Sequence, residues 1–176
     1  MKTVVCLAAL VFAPLLCLSA EPAAKDQPTK RVAFAQYCFW TGEMQLGQID
    51  GVVRTEAGYF QGREVTLVDF DPSRISLEQL AHRAKAAGVG ERLHLSAAAT
   101  VVGGSIGGVS VGAPLDGSYR TAPASDQKKQ IEGTPYAGLK LTPEQATKVN
   151  AFVRVDLSKA REWLTGAQRE QIASAR

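Results

Sequence analysis

The chain has 176 residues, about one ordinary domain's worth, and its 45% hydrophobic and 21% charged content is globular, which excludes intrinsic disorder. A formal charge of +3, from 20 Lys+Arg against 17 Asp+Glu with no dense basic run, gives no reason to expect a nucleic-acid surface. Three cysteines are too few for a disulfide-stapled scaffold.

Residues 1–20 read as a secretory signal peptide. Lys2 supplies the positive start, residues 4–16 are apolar but too short for a membrane span, and Leu18-Ser19-Ala20 offers a small residue at the cleavage point. Cleavage after Ala20 predicts export to the periplasm or extracellular space, with no membrane attachment afterwards. Anchoring through Cys17 is the weaker alternative, because Leu16 precedes it where that processing wants a small residue. Cleavage removes Cys6 and Cys17, so Cys38 is the one thiol expected in the mature protein. An unpaired thiol in an oxidising compartment is unusual unless it is buried or used.

Residues 21–30 carry two prolines and read as a flexible lead-in. Residues 31–37 (RVAFAQY) alternate as a strand, with Val32, Phe34 and Gln36 on one face and Ala33, Ala35 and Tyr37 on the other. A short helix is predicted over 38–46, ended by Gly47. Two β-rich runs follow at 51–59 and 64–70, parted by the turn-like residues 60–63, and Asp71-Pro72-Ser73 stops the second. Ser76 with Gln79 makes a capping box for a helix that runs to Gly88. A further strand, at 95–102 or else at 109–111, would complete a βαββαβ order, an α+β ferredoxin-like two-layer core. The glycine-rich stretch 101–112 lacks the Lys-Ser/Thr of a P-loop and the GxGxxG spacing, and reads as closely packed bulged strand or loop. The tail predicts helices from Thr142-Pro143, over 157–164, and from Ala167. The expected organisation is thus one domain over 31–141 with a helical extension over 142–176.

Cys38 falls at a strand-to-helix junction, where unpaired helix N–H groups and the helix dipole favour thiolate. Phe39 and Trp40 follow at once, and Glu43 shares a helical face with Trp40. A carboxyl group beside tryptophan is partly desolvated, which favours the neutral, hydrogen-bond-donating acid. The plain alternative makes Phe39 and Trp40 core and Glu43 a solvated helix residue. His82 and His94 are the only histidines, with no ligand spacing between them, so no metal site is expected.

Cys38-Phe39-Trp40-Thr41-Gly42-Glu43 resembles the CFWxxE core of the peptide methionine sulfoxide reductase A family. The resemblance runs on through Gly51-Val52-Val53-Arg54-Thr55, Gly58-Tyr59, Glu64-Val65, Asp71-Pro72 and Ile75-Ser76-Leu77-Glu78-Gln79-Leu80 to Asp116-Gly117-Ser118-Tyr119-Arg120-Thr121 and Asp126-Gln127-Lys128-Lys129, roughly residues 32–130. It implies an α+β fold and reduction of methionine S-sulfoxide, free or in peptides, through a cysteine sulfenic acid. Cys38 would attack the sulfoxide sulfur and Glu43 would hydrogen-bond or protonate its oxygen. Phe39 and Trp40 would pocket the methyl group, and Tyr59, Asp116 and Tyr119 would complete the polar side. With no second cysteine to resolve the sulfenic acid, an external thiol, thioredoxin-like or similar, would act as reductant, with no bound cofactor. The expected partners are oxidised methionine and a thiol reductant protein, and the protein is expected to be a monomer. Tyr37 stands where the family has glycine, and only residues 59–63 separate Gly58 from Glu64, where the family carries a longer excursion. These departures motivate two alternatives, a degenerate peptide-binding relative and a thiol peroxidase.

Overall fold

The computed structural model describes residues 28–96 and 103–174. The signal peptide, most of the lead-in and residues 97–102 of one candidate strand lie outside these.

Seven strands form one mixed sheet in the order β5-β6-β4-β1-β3-β2-β7. At its centre β1 (Lys30–Ala35) lies antiparallel between β3 (Arg63–Phe70) and β4 (Arg92–Leu95), and β2 (Val52–Phe60) closes antiparallel on β3. The β2–β3 connection is a two-residue turn, Gln61-Gly62, tighter than the four residues expected from the sequence. Both central residues take positive φ (50° and 72°), the requirement of a hairpin turn matched to strand twist. Of the two candidates for a fourth strand, 109–111 is β6 (Val109–Val111), which pairs parallel to β4; the run at 95–102 meets β4 only at Leu95, and its residues 97–102 lie outside the described ones.

The glycine-rich stretch is a second hairpin. β5 (Ser105–Ile106) pairs with β6 across Gly107-Gly108, both at positive φ. A Cβ on Gly107 would meet the backbone of Ala81 and Glu78, so this turn is glycine because it lies against a helix. No phosphate cradle is needed to explain it. β7 (Arg120–Thr121) extends the sheet beyond β2; two residues carry no readable periodicity.

The strand register sorts the side chains into two faces. Val32, Phe34, Val68 and Phe70 share one face with Thr55, Ala57 and Tyr59 of β2. On that face lie α1 (Phe39–Gly47) and α2 (Leu77–Ala86), the latter opened by the Ser76–Gln79 capping box read from the sequence. Leu46, Leu80, Ala81 and Ala84 close the main core against the sheet. Ala33, Ala35, Phe60, Val65 and Leu67 occupy the other face, under Leu115 and Tyr119. His94 is on this second face as well, edge-on to Phe60, with Nδ1 2.7 Å from the Ala113 carbonyl, and burial holds its pKa below the ordinary value.

The helical tail comprises α3 (Pro143–Phe152), α4 (Leu157–Glu162) and α5 (Gly166–Ser174), with an apolar cluster around Val149, Val153, Ala160, Leu164 and Ile172 that Ile131 and Tyr136 join. α3 is clamped to the C-terminal end of α1. Lys148, only 2% exposed, donates to the carbonyls of Gly47 (2.8 Å) and Ile49 (2.9 Å) and lies over the Trp163 ring. These carbonyls carry the negative end of the α1 dipole and satisfy the ammonium. Burial still pushes the Lys148 pKa down to about 8, against the raising influence of Asp50 and Glu144. Between that value and the unfolded lysine's pKa of about 10.4, the unfolded state binds the extra proton. Its contribution to stability therefore rises with pH across that window. The stability difference between wild type and Lys148→Met, from urea melts at pH 7.5 to 10, should move in favour of wild type as pH rises. A difference independent of pH would show that Lys148 does not titrate in the folded protein.

Candidate active site

Cys38 is the N-cap of α1, in extended backbone (φ −139°, ψ 116°), and its carbonyl accepts the first helical bond from Gly42 N–H. The strand stops two residues earlier than the alternation suggested, and Tyr37 swings out to 92% exposure. Gly42 is where the helix touches the sheet: a Cβ there would run into the Gln36 amide and the Thr66 hydroxyl, which lie 2.7 Å apart. The small residue lets α1 settle flat on β1 and β3, which fixes where Cys38 emerges.

The helix N–H groups are not all free for a thiolate. Glu64 of β3 places Oε2 2.8 Å from the Phe39 N–H, so a carboxylate already occupies the first donor after Cys38. In the β2–β3 register Glu64 is paired with Tyr59, and the ring of Tyr59 meets Phe39 edge-on, centroids 5.5 Å apart. Phe39 in turn meets Trp40 edge-on at 6.0 Å and packs on Ala57 and Ala122. Cys38, Trp40, Tyr59 and Glu64 are all partly exposed around the buried Phe39 ring. A thiol, a carboxyl group and an aromatic wall thus share one surface. Lys129 lies over the Trp40 ring at 5.3 Å, and the Trp40 Nε1 is buried without a hydrogen-bond partner.

Glu43 does not take the place the sequence suggested. It is 0% exposed, and both its oxygens accept: from the Lys128 N–H (2.8 Å), from the Lys128 ammonium, and from the Thr55 hydroxyl (3.4 Å). Lys128 also donates to the Thr55 carbonyl at 2.6 Å. Glu43 therefore staples the loop after β7 to α1 and the open edge of β2, as an acceptor and not as a donor. The physical reason is the loop after β7: it covers the helix face that Trp40 and Glu43 share, laying Lys129 over Trp40 and bringing Lys128 onto Glu43. The carboxyl group beside Cys38 is Glu64, which lies in another strand and escapes any search for neighbours along the helix. The signal that could have found it is pairing: in a tight hairpin, Glu64 comes beside Tyr59, a residue already singled out.

Tyr119 and Asp116 are likewise not gathered beside Cys38. Tyr119 lies on the opposite face of the sheet, its hydroxyl donated to Glu56 at 2.8 Å, and burial together with that bond raises its pKa well above the ordinary value. Gly58 makes room for it: a Cβ there would strike the phenol. Burial works against ionisation of Glu56, but hydrogen bonds from Tyr119 and Thr121 and the Arg54 guanidinium hold its pKa below the usual value. Asp116 is exposed and turned on itself, accepting from Ser118 N–H at 2.8 Å, and Ser118 holds its pKa low. Strand alternation divides these residues: Tyr59 and Tyr119 come from paired strands but point to opposite faces.

No protein-family model matches the chain. It is similar to the peptide methionine sulfoxide reductase MsrA of Clostridium perfringens, 38% identical over 68 residues, covering 29% of this chain and 43% of that protein. It is also similar to the peptide methionine sulfoxide reductase A5 of Arabidopsis thaliana (38% over 68 residues, 31% of this chain and 27% of that protein) and to MsrA 1 of Rhizobium meliloti (37% over 68 residues, 29% and 31%). These matches span less than half the length of the curated relatives, and a shorter stretch than the motif-by-motif resemblance. The 68 aligned positions outnumber the residues matched on this side, so the relatives carry residues in that stretch that are missing here. Over this stretch the chain is related to the peptide methionine sulfoxide reductase A family.

Proposed function

We propose that this protein reduces methionine S-sulfoxide to methionine with Cys38 as nucleophile and Glu64 as the acid. The observation that carries the reading is the Glu64 carboxyl group seated on the Phe39 N–H directly beside Cys38, against the Phe39–Trp40–Tyr59 wall. The Cys38 sulfur gives an electron pair to the sulfoxide sulfur while protonated Glu64 donates to its oxygen. Oxygen ends on Cys38 as the sulfenic hydroxyl, and methionine leaves reduced by two electrons. Two thiols of an external reductant then return Cys38 to the thiol, forming a disulfide and releasing water. The aromatic wall takes the substrate's methyl group by apolar contact.

The antiparallel order β4-β1-β3-β2, with α1 and α2 on one face, supports a ferredoxin-like core at the centre of the sheet. The helical extension read over 142–176 packs with the end of a reductase-like domain over 31–141, because Ile131 and Tyr136 join the apolar cluster of α3 to α5. In this reading the protein is exported and draws its electrons from a thiol protein of that compartment. Among the described residues no helix is long and apolar enough to cross a membrane.

The test is turnover with dithiothreitol on N-acetyl-methionine S-sulfoxide and its R epimer. The S epimer should be reduced, the R epimer not, and Cys38→Ser should abolish the reaction. A folded protein with a free thiol that reduces neither epimer contradicts the assignment. Faster sulfenic acid formation with hydrogen peroxide than with the sulfoxide favours a thiol peroxidase instead.

A further inference from the structure

At the hairpin end of the sheet, neighbouring strands β3, β2 and β7 deliver Glu64, Tyr59 and Arg120 in that order, and Cys38 follows the end of β1 on the other side of β3, at the start of α1. Arg120 is paired directly with Tyr59 and so projects from the same face. Its neighbours Tyr119 and Thr121 project from the other face, where both bond Glu56. Arg120 is exposed and, among the described residues, has no carboxylate partner. The other cations of this end are engaged or turned away. Arg63 pairs with Glu91, Lys129 with Glu132, and Arg92 shares the far face with Ala35.

A cleft of about 370 Å³ opens beside Arg120, walled by Tyr59, Gln61, Gly62, Gly117 and Ser118. Asp116, the carboxylate closest to it in sequence, is not part of that wall and is engaged by Ser118. Two strand spacings, about 10 Å, separate the backbones of Glu64 and Arg120. A methionine side chain and an extended guanidinium together bridge that gap. The cleft therefore offers a free cation two strand spacings from Glu64, on the same face.

We propose that Arg120 binds the α-carboxylate of the substrate, so that the site prefers a methionine sulfoxide whose own carboxylate is free, as in the single amino acid or at the C-terminus of a peptide. The inference rests on the reductase reading of Cys38, but binding tests it apart from turnover. In Cys38→Ser protein, calorimetric titration with N-acetyl-methionine S-sulfoxide and with its methyl ester compares the two ligands directly. A charge-assisted pair at a part-exposed site predicts roughly three- to tenfold tighter binding of the acid, narrowing as salt is added. Arg120→Gln should erase the preference, Arg120→Lys should keep part of it, and Arg92→Gln, on the opposite face, should keep all of it. Equal binding of acid and ester, binding of neither, or a preference that survives Arg120→Gln overturns the proposal. Turnover of the same two compounds by the wild type decides the reductase reading separately.

Discussion

Glu64→Ala is expected to slow sulfoxide reduction by about 10²–10⁴-fold, the usual worth of general-acid help. Glu64→Gln should retain part of the rate, because the amide still offers a hydrogen bond to the sulfoxide oxygen without delivering a proton. A second readout separates chemistry from damage. Removing the Glu64 carboxyl group frees the Phe39 N–H next to Cys38. The freed helix N–H is then open to the Cys38 sulfur, so alkylation of Cys38 by iodoacetamide should become about two- to fivefold faster at neutral pH, the scale of a helix-terminus effect. A slower reduction with a faster alkylation is the signature of a lost acid. If reduction and alkylation both keep their wild-type rates in Glu64→Ala, Glu64 is only a helix-end partner.

Lys128→Met is expected to destabilise the protein by about 3 kcal/mol, because it leaves Glu43 buried without its cation. For a protein of this size that corresponds to a fall in Tm of about 10 °C. The double variant Glu43→Leu with Lys128→Met should recover much of the loss, since a buried pair replaced by packed apolar groups costs little. Glu43→Gln should reduce sulfoxide within a few-fold of wild type at a temperature where it is folded. Thermal melts of the four proteins and a rate assay check this. A Glu43→Gln protein that is stable but loses activity by more than a hundredfold would return the acid's role to Glu43.

Much of this was readable in the sequence because it is local. Helix starts at Ser76 and Thr142, the alternation over 31–37 and the β-rich runs before and after Gly62 depend on neighbours within four residues; the helices and the two runs stand where expected, and the first strand stops short at Ala35. The position of Cys38 at a strand-to-helix junction is of the same kind. What the sequence hid depends on pairing, long-range contact and strand phase. Glu64 reaches Cys38 only through the β1–β3 register, and Lys128 reaches Glu43 from 85 residues away. Tyr119 looked like a partner of Tyr59 because both follow the same motif order, yet one residue of strand phase puts it on the far face. β5 and β7, two residues each, are strands because of what they pair with; propensity had nothing to say about them.

The most direct measurement is a single turnover without reductant. Fully reduced protein is mixed with excess N-acetyl-methionine S-sulfoxide, methionine product is counted by chromatography, and Cys38 is trapped with dimedone and mapped by mass spectrometry. Cys38 attack predicts one product molecule per protein, with the single oxygen found on Cys38 before trapping, and nothing from Cys38→Ser. Product formed without modification of Cys38, or Cys38 left as thiol with no product, would contradict it.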